Sequence, residues 1–140
     1  EGTAPAVPVL VTPATASKPQ QPVAFTWNAV TDPSGVTYEF QLSQDASFAT
    51  IIQEETGLTS PNFTLPEEPK LPSASGDTAY QWRVRAVDGA GNASAWSTAN
   101  TFNIGMVWPG WLIHVWYGLG ILVALVLGLW LGRRMAYQSY

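Results

Sequence analysis

From Met106 to Gly132 the chain carries no Asp, Glu, Lys or Arg, and Arg133 and Arg134 follow at once. The stretch Leu112 to Leu131 is 20 residues long. At about 1.5 Å per residue, a helix of that length is roughly 30 Å, the thickness of a bilayer's hydrocarbon core. A helix satisfies its own backbone hydrogen bonds, the condition for crossing lipid, and Pro109 stands at the start, where a missing N–H is harmless. The pattern predicts a single transmembrane helix over residues 111–132. Trp108, Trp111, Trp116 and Tyr117 gather at one end, and Trp130, Tyr137 and Tyr140 towards the other, where amphipathic rings prefer the headgroup levels. By the positive-inside rule Arg133 and Arg134 mark the cytoplasmic side. This predicts an N-out, C-in protein of a bacterial cytoplasmic (inner) membrane, with a periplasmic or extracellular domain and a cytoplasmic tail over 133–140.

About 105 residues remain for the outer part, enough for one modest domain. They hold ten acids against Lys18, Lys70, Arg83 and Arg85, a net charge of −6. So acidic a surface argues against nucleic acid and against docking on anionic headgroups. With no cysteine, the domain is held by its core rather than by disulfides. Glu1 is preceded by no export signal, so either a signal has been removed or the chain is a piece of something longer.

Residues 1–22 hold Pro5, Pro8, Pro13, Pro19 and Pro22, which favours an extended lead-in, with a first edge strand over Val9 to Thr12. From there the period is two. Val23, Phe25 and Trp27 alternate with polar or small residues up to the turn Asp32-Pro33-Ser34-Gly35. Val36, Tyr38, Phe40 and Leu42 then face one way against Thr37, Glu39, Gln41 and Ser43. Phe48 to Gln53 reads as a fourth strand and Asn62 to Leu65 as a fifth, before a loop enforced by Pro66, Pro69 and Pro72. Along Ala79 to Asp88, Tyr80, Trp82, Val84 and Ala86 face opposite to Gln81, Arg83 and Arg85. Asp88-Gly89-Ala90-Gly91-Asn92 is the next turn, and a last strand ends with Phe102 and Ile104. Seven short strands with regular turn signals predict an all-β fold, an antiparallel sandwich over residues 8–104, with a tether over 105–110.

The run Tyr80-x-Trp82-x-Val84-x-Ala86, then Gly91 and Ser94 to Ser97, with Trp27 and Tyr38-x-Phe40, resembles a fibronectin type III domain of the bacterial surface variety. The resemblance implies an immunoglobulin-like sandwich. It says little of function, since such domains serve as spacers, adhesion modules and docking platforms. The Arg-Gly-Asp tripeptide of some animal members is absent, so integrin binding is not implied.

No nucleophile and base come together in this sequence. The single histidine, His114, lies in the apolar stretch, and Asp45, Glu54, Glu55, Glu67 and Glu68 fall in turns or on outward positions. The expectation is a non-enzymatic protein with no small-molecule substrate. Asp88 to Asn92 lacks the alternating acids of a calcium loop and reads as a plain hairpin turn. Asn62-Phe63-Thr64 and Asn92-Ala93-Ser94 match the glycosylation triplet.

Within the apolar stretch Gly120, Ala124, Gly128 and Gly132 recur every four residues, the small-xxx-small pattern that lets two helices approach closely in lipid. They predict a protein partner along that flank. His114 falls on the same side, where two readings stay open. One is an interfacial imidazole bonded to water or a carbonyl. The other is an axial ligand to a haem or a chlorophyll-type magnesium, with Gly110 one turn earlier clearing room for the ring. Gly110-x-x-x-His114 resembles the small-xxx-His pattern of antenna polypeptides.

These features predict a single-pass accessory or scaffold subunit that packs its helix on a larger membrane complex, photosynthetic or respiratory if His114 holds a pigment or haem. Its sandwich lies on the outer face, held near the bilayer by a tether of three or four residues. The alternative is the membrane-proximal module of a cell-surface adhesin or anchoring protein. A glycan-binding module would need exposed aromatics, whereas most here occupy inward strand positions.

Overall fold

The computed structural model describes residues 2–105; the segment predicted to hold the helix over 111–132 and the tail over 133–140 lies outside the described residues. Among the described residues no helix is long and apolar enough to cross a membrane. Seven strands are present among the described residues: β1 (Leu10–Thr12), β2 (Ala24–Trp27), β3 (Val36–Ser43), β4 (Ile51–Leu58), β5 (Asn62–Thr64), β6 (Tyr80–Asp88) and β7 (Asn100–Phe102). They form two antiparallel sheets, a three-stranded one in the order β1-β2-β5 and a four-stranded one in the order β4-β3-β6-β7. This is the all-β sandwich predicted from the alternation.

The alternation explains the packing. β3 and β6 pair without interruption from Val36↔Asp88 to Ser43↔Gln81. Side chains two apart share a face, so Tyr38, Phe40 and Leu42 line up beside Tyr80, Trp82, Val84 and Ala86. Against them the smaller sheet sets Val23, Phe25 and Trp27, all buried. Each such side chain withdrawn from water contributes about 1.5–3 kcal/mol, which in a domain without disulfides is the main source of stability. Tyr80 spans the core and donates its hydroxyl to the Pro72 carbonyl at 3.0 Å. Burial pushes its pKa up, so the phenol stays protonated and keeps donating.

Several strand limits differ from expectation: the first strand begins at Leu10 rather than Val9 and the sixth at Tyr80 rather than Ala79. The fourth strand begins at Ile51, not Phe48, and runs to Leu58, because residues 44–50 are held as a hydrogen-bonded loop. As the outer strand of its sheet β4 tolerates Glu54 and Glu55, which on an edge discourage further pairing. β5 ends at Thr64, although Leu65 still enters the core. β7 ends at Phe102; Ile104 lies beyond it, joined to Ala74 by two backbone hydrogen bonds of 2.9 and 3.0 Å.

The proline-rich lead serves both sheets. β1 pairs with β2, and after Ala16, at φ 62°, Ser17 lies parallel to Phe102 of β7. Between the two, the Pro13 carbonyl accepts the indole N–H of Trp82 at 3.3 Å and the Asn100 amide at the same distance.

Candidate functional site

The outer face of the four-stranded sheet carries a connected row of polar and aromatic groups. Alternation that turns Trp82 and Val84 inward turns Arg83 and Arg85 out, opposite Gln41 and Glu39 of β3. Gln41 donates its amide to Glu54 at 2.7 Å and accepts from Nε and Nη2 of Arg83 at 2.9 and 2.7 Å. Arg85 Nε donates to Glu39 Oε2 at 2.7 Å and Nη2 lies 2.6 Å from the same oxygen, a contact of the stronger, charge-assisted kind. The Arg83 guanidinium lies 4.0 Å from the Phe48 ring centre and 4.5 Å from that of Trp96, and Arg85 lies 4.7 Å from Trp96. Cations over aromatic faces are attracted by the ring quadrupole, by about 0.5–2 kcal/mol each. Burial and the nearby Arg85 charge draw the Arg83 pKa below its ordinary value.

Two loops place the rings. Phe48 has φ 56°, a left-handed conformation costly for a bulky side chain. The Asp45 carboxylate holds it there by accepting from the Ser47 N–H and hydroxyl and the Ala49 N–H, while the Phe48 N–H donates to the Asp45 carbonyl. Trp96 belongs to a segment running beside β6. The Ser94 and Ser97 N–H groups donate to the Ala86 and Val84 carbonyls, and their hydroxyls accept from the Ala86 and Val84 N–H groups at 3.0 and 3.1 Å. Two serine side chains thus stand in for strand carbonyls, leaving Trp96 turned over the arginines. The outward placement of Arg83 and Arg85 was legible in the sequence; the rings over them were not.

Asp88, only 5% exposed, ends β6. Its carboxylate accepts from the Ala90 N–H and from the N–H and side-chain amide of Asn92. The oxygens a calcium ion would need therefore face the turn's own donors. Of the two glycosylation triplets, Asn62 is exposed on β5 and Asn92 is bonded to Asp88.

Hydrogen bonds from Ser47 to Asp45 and from Asn92 to Asp88 hold both carboxyls below the ordinary aspartate range. Below the usual value of about 3.9 the unfolded chain binds more protons than the folded one, so stability falls with pH through the depressed folded values. Asp45→Asn with Asp88→Asn should flatten this acid limb in circular-dichroism titrations. An unchanged limb would show that other carboxylates govern it.

The predicted helix-packing residues Gly120, Ala124, Gly128 and Gly132 lie outside the described residues. So do His114 and Gly110, and the interface anchors Trp108, Trp111, Trp116, Tyr117, Trp130, Arg133 and Arg134.

A family model described as Rha78A-like, N-terminal immunoglobulin domain, matches residues 20–108. Among solved structures the chain is similar to the fibronectin type-III domain of human fibronectin type III domain containing protein 3, at 16% identity and a TM-score of 0.50, covering 74% of this chain and 89% of that one. It is also similar to Streptomyces avermitilis alpha-L-rhamnosidase, solved with L-rhamnose, at 17% identity and a TM-score of 0.44. That match covers 73% of this chain and 10% of the enzyme. Likenesses at these identities concern the fold alone. No curated protein matches the chain.

Proposed function

We infer that this chain, which belongs to the family of Rha78A-like N-terminal immunoglobulin domains, is a non-catalytic single-pass membrane protein that presents its sandwich to a larger membrane assembly. The observation that carries this reading is the uncharged stretch from Met106 to Gly132, closed by Arg133 and Arg134 and starting two residues after Ile104. The sandwich supports a binding role rather than chemistry. Several of its ionisable groups serve structure: Asp45 and Asp88 hold their own turns, Arg85 pairs with Glu39 and Arg83 is bonded to Gln41. The small-residue repeat at Gly120, Ala124, Gly128 and Gly132 is the proposed contact with the partner's helices, and His114 with Gly110 the proposed point at which a haem or chlorophyll-type pigment would touch the chain.

The test is native purification from membranes with mass spectrometry of co-migrating chains. The chain should stay with the membrane through an alkaline wash and co-purify with a larger assembly. Gly128→Leu, which enlarges the small flank, should release it in mild detergent while the β-sheet signal in circular dichroism is unchanged. Recovery of the chain as a soluble monomer after gentle extraction would overturn the reading.

A further inference from the structure

Beyond β7, where the described chain ends in Ile104 and Gly105, the sandwich carries an open groove of about 300 Å³ lined by Lys18, Ser73, Ser75, Thr78, Asn103 and Gly105. The two backbone bonds between Ala74 and Ile104 fix its floor. Lys18 differs from the other described bases. Lys70 faces Glu68 at 3.8 Å, Arg85 is paired with Glu39, and Arg83 is bonded to Gln41 between two rings. Among the described residues Lys18 has no carboxylate within ion-pair distance, and no acid lines the groove. The Thr78 hydroxyl donates to the Ser75 carbonyl, but an exposed ammonium beside the Ser73 and Ser75 hydroxyls and the Asn103 amide, in a region of net charge −6, is a local reversal of sign suited to an anion with several acceptor oxygens.

We propose that this groove binds a phosphate group, supplied by a phospholipid headgroup. The lipid source rests on the membrane reading above, since Gly105 lines the groove and the uncharged stretch starts at Met106. It also refines the view that so acidic a domain avoids anionic headgroups: the net charge sets the average field, whereas one recess without carboxylates sets a local one.

The full chain is compared in phosphate-free detergent micelles, in the same micelles with inorganic phosphate, and in phosphatidylglycerol vesicles. Acetylation of Lys18 relative to Lys70 is read by mass spectrometry. In vesicles Lys18 should react about fivefold more slowly than in plain micelles, the equivalent of one exposed ion pair. Asn103→Asp, which places a carboxylate in the groove, should abolish that protection while flotation with the vesicles is unchanged, separating a site from mere nearness to a surface. Protection by inorganic phosphate in micelles would overturn the lipid source and reassign the groove to free phosphate. Equal labelling of Lys18 in all three conditions, or protection that survives Asn103→Asp, would overturn the site. Failure of the chain to float would instead overturn the membrane reading, and the phosphate arm would still decide the groove.

Discussion

Phe25→Ala should lower the unfolding free energy by about 3–5 kcal/mol, the range for emptying a buried aromatic site. Phe25 is fully buried and lies where the two sheets meet. Its ring centre is 4.7 Å from Phe40, 5.0 Å from Trp82, 5.7 Å from Phe102 and 6.4 Å from Phe63. Three of these neighbours sit on three different strands of the larger sheet and the fourth on β5. Removing the ring thus leaves a cavity bounded by strands that cannot close in independently. Phe25→Leu, which keeps most of the volume, should cost clearly less. Denaturant unfolding of the full chain in detergent, followed by near-ultraviolet circular dichroism, measures both as shifts of midpoint at constant slope. A loss for Phe25→Ala below about 1 kcal/mol would mean that the sheets repack around the gap.

Gly89→Ala should be the more damaging of two alanine substitutions in one turn. A Cβ at Gly89 would overlap the carbonyl oxygen of Ser34, where the turns after β2 and β6 touch. The same approach lets the Gly89 N–H donate to the Ser34 hydroxyl at 3.1 Å. Backbone cannot step aside as a flexible side chain can, so the turns must separate, at a cost of about 1–3 kcal/mol for overpacking plus the lost bond. Gly91, two residues on, has φ +88° and open space around its Cα. Its substitution carries only the left-handed penalty of about 1–2 kcal/mol, and Gly91→Asn, better suited to that region, should carry less. The same denaturation assay ranks the three. Equal losses at positions 89 and 91 would show that conformation, not contact, governs both.

What the sequence made legible was wherever one local rule acted alone. In β3 strict alternation fixed strand limits, faces and core together, and in β6 it did so to within one residue. The errors fell where a hydrogen bond outranked the pattern. Phe48 looked like the start of a strand because it is aromatic and precedes an apolar pair, yet Asp45 captures three donors and holds it in a turn. The fourth strand was expected to end at Gln53, yet it runs on through Glu54 and Glu55 to Leu58, since an edge strand is where such residues belong. The candidate face was half legible. Arg83 and Arg85 were assigned outward, but Phe48 reaches Arg83, and Trp96 both arginines, from segments outside the strand, and no local spacing encodes that meeting. Pro13 was read only as part of an extended lead-in, whereas its carbonyl serves as acceptor for the indole of Trp82, 69 residues away.

The parallel pairing of the lead with the final strand has a mechanical side. The Ala16 N–H donates to the Thr101 carbonyl at 2.9 Å and the Asn103 N–H to the Ser17 carbonyl at 2.8 Å. Because these neighbours run in the same direction, tension drawn through the two ends of the domain slides one past the other and strains both links at once instead of unzipping them in turn. A head fastened in this way transmits a tug from one terminus to the other before it yields.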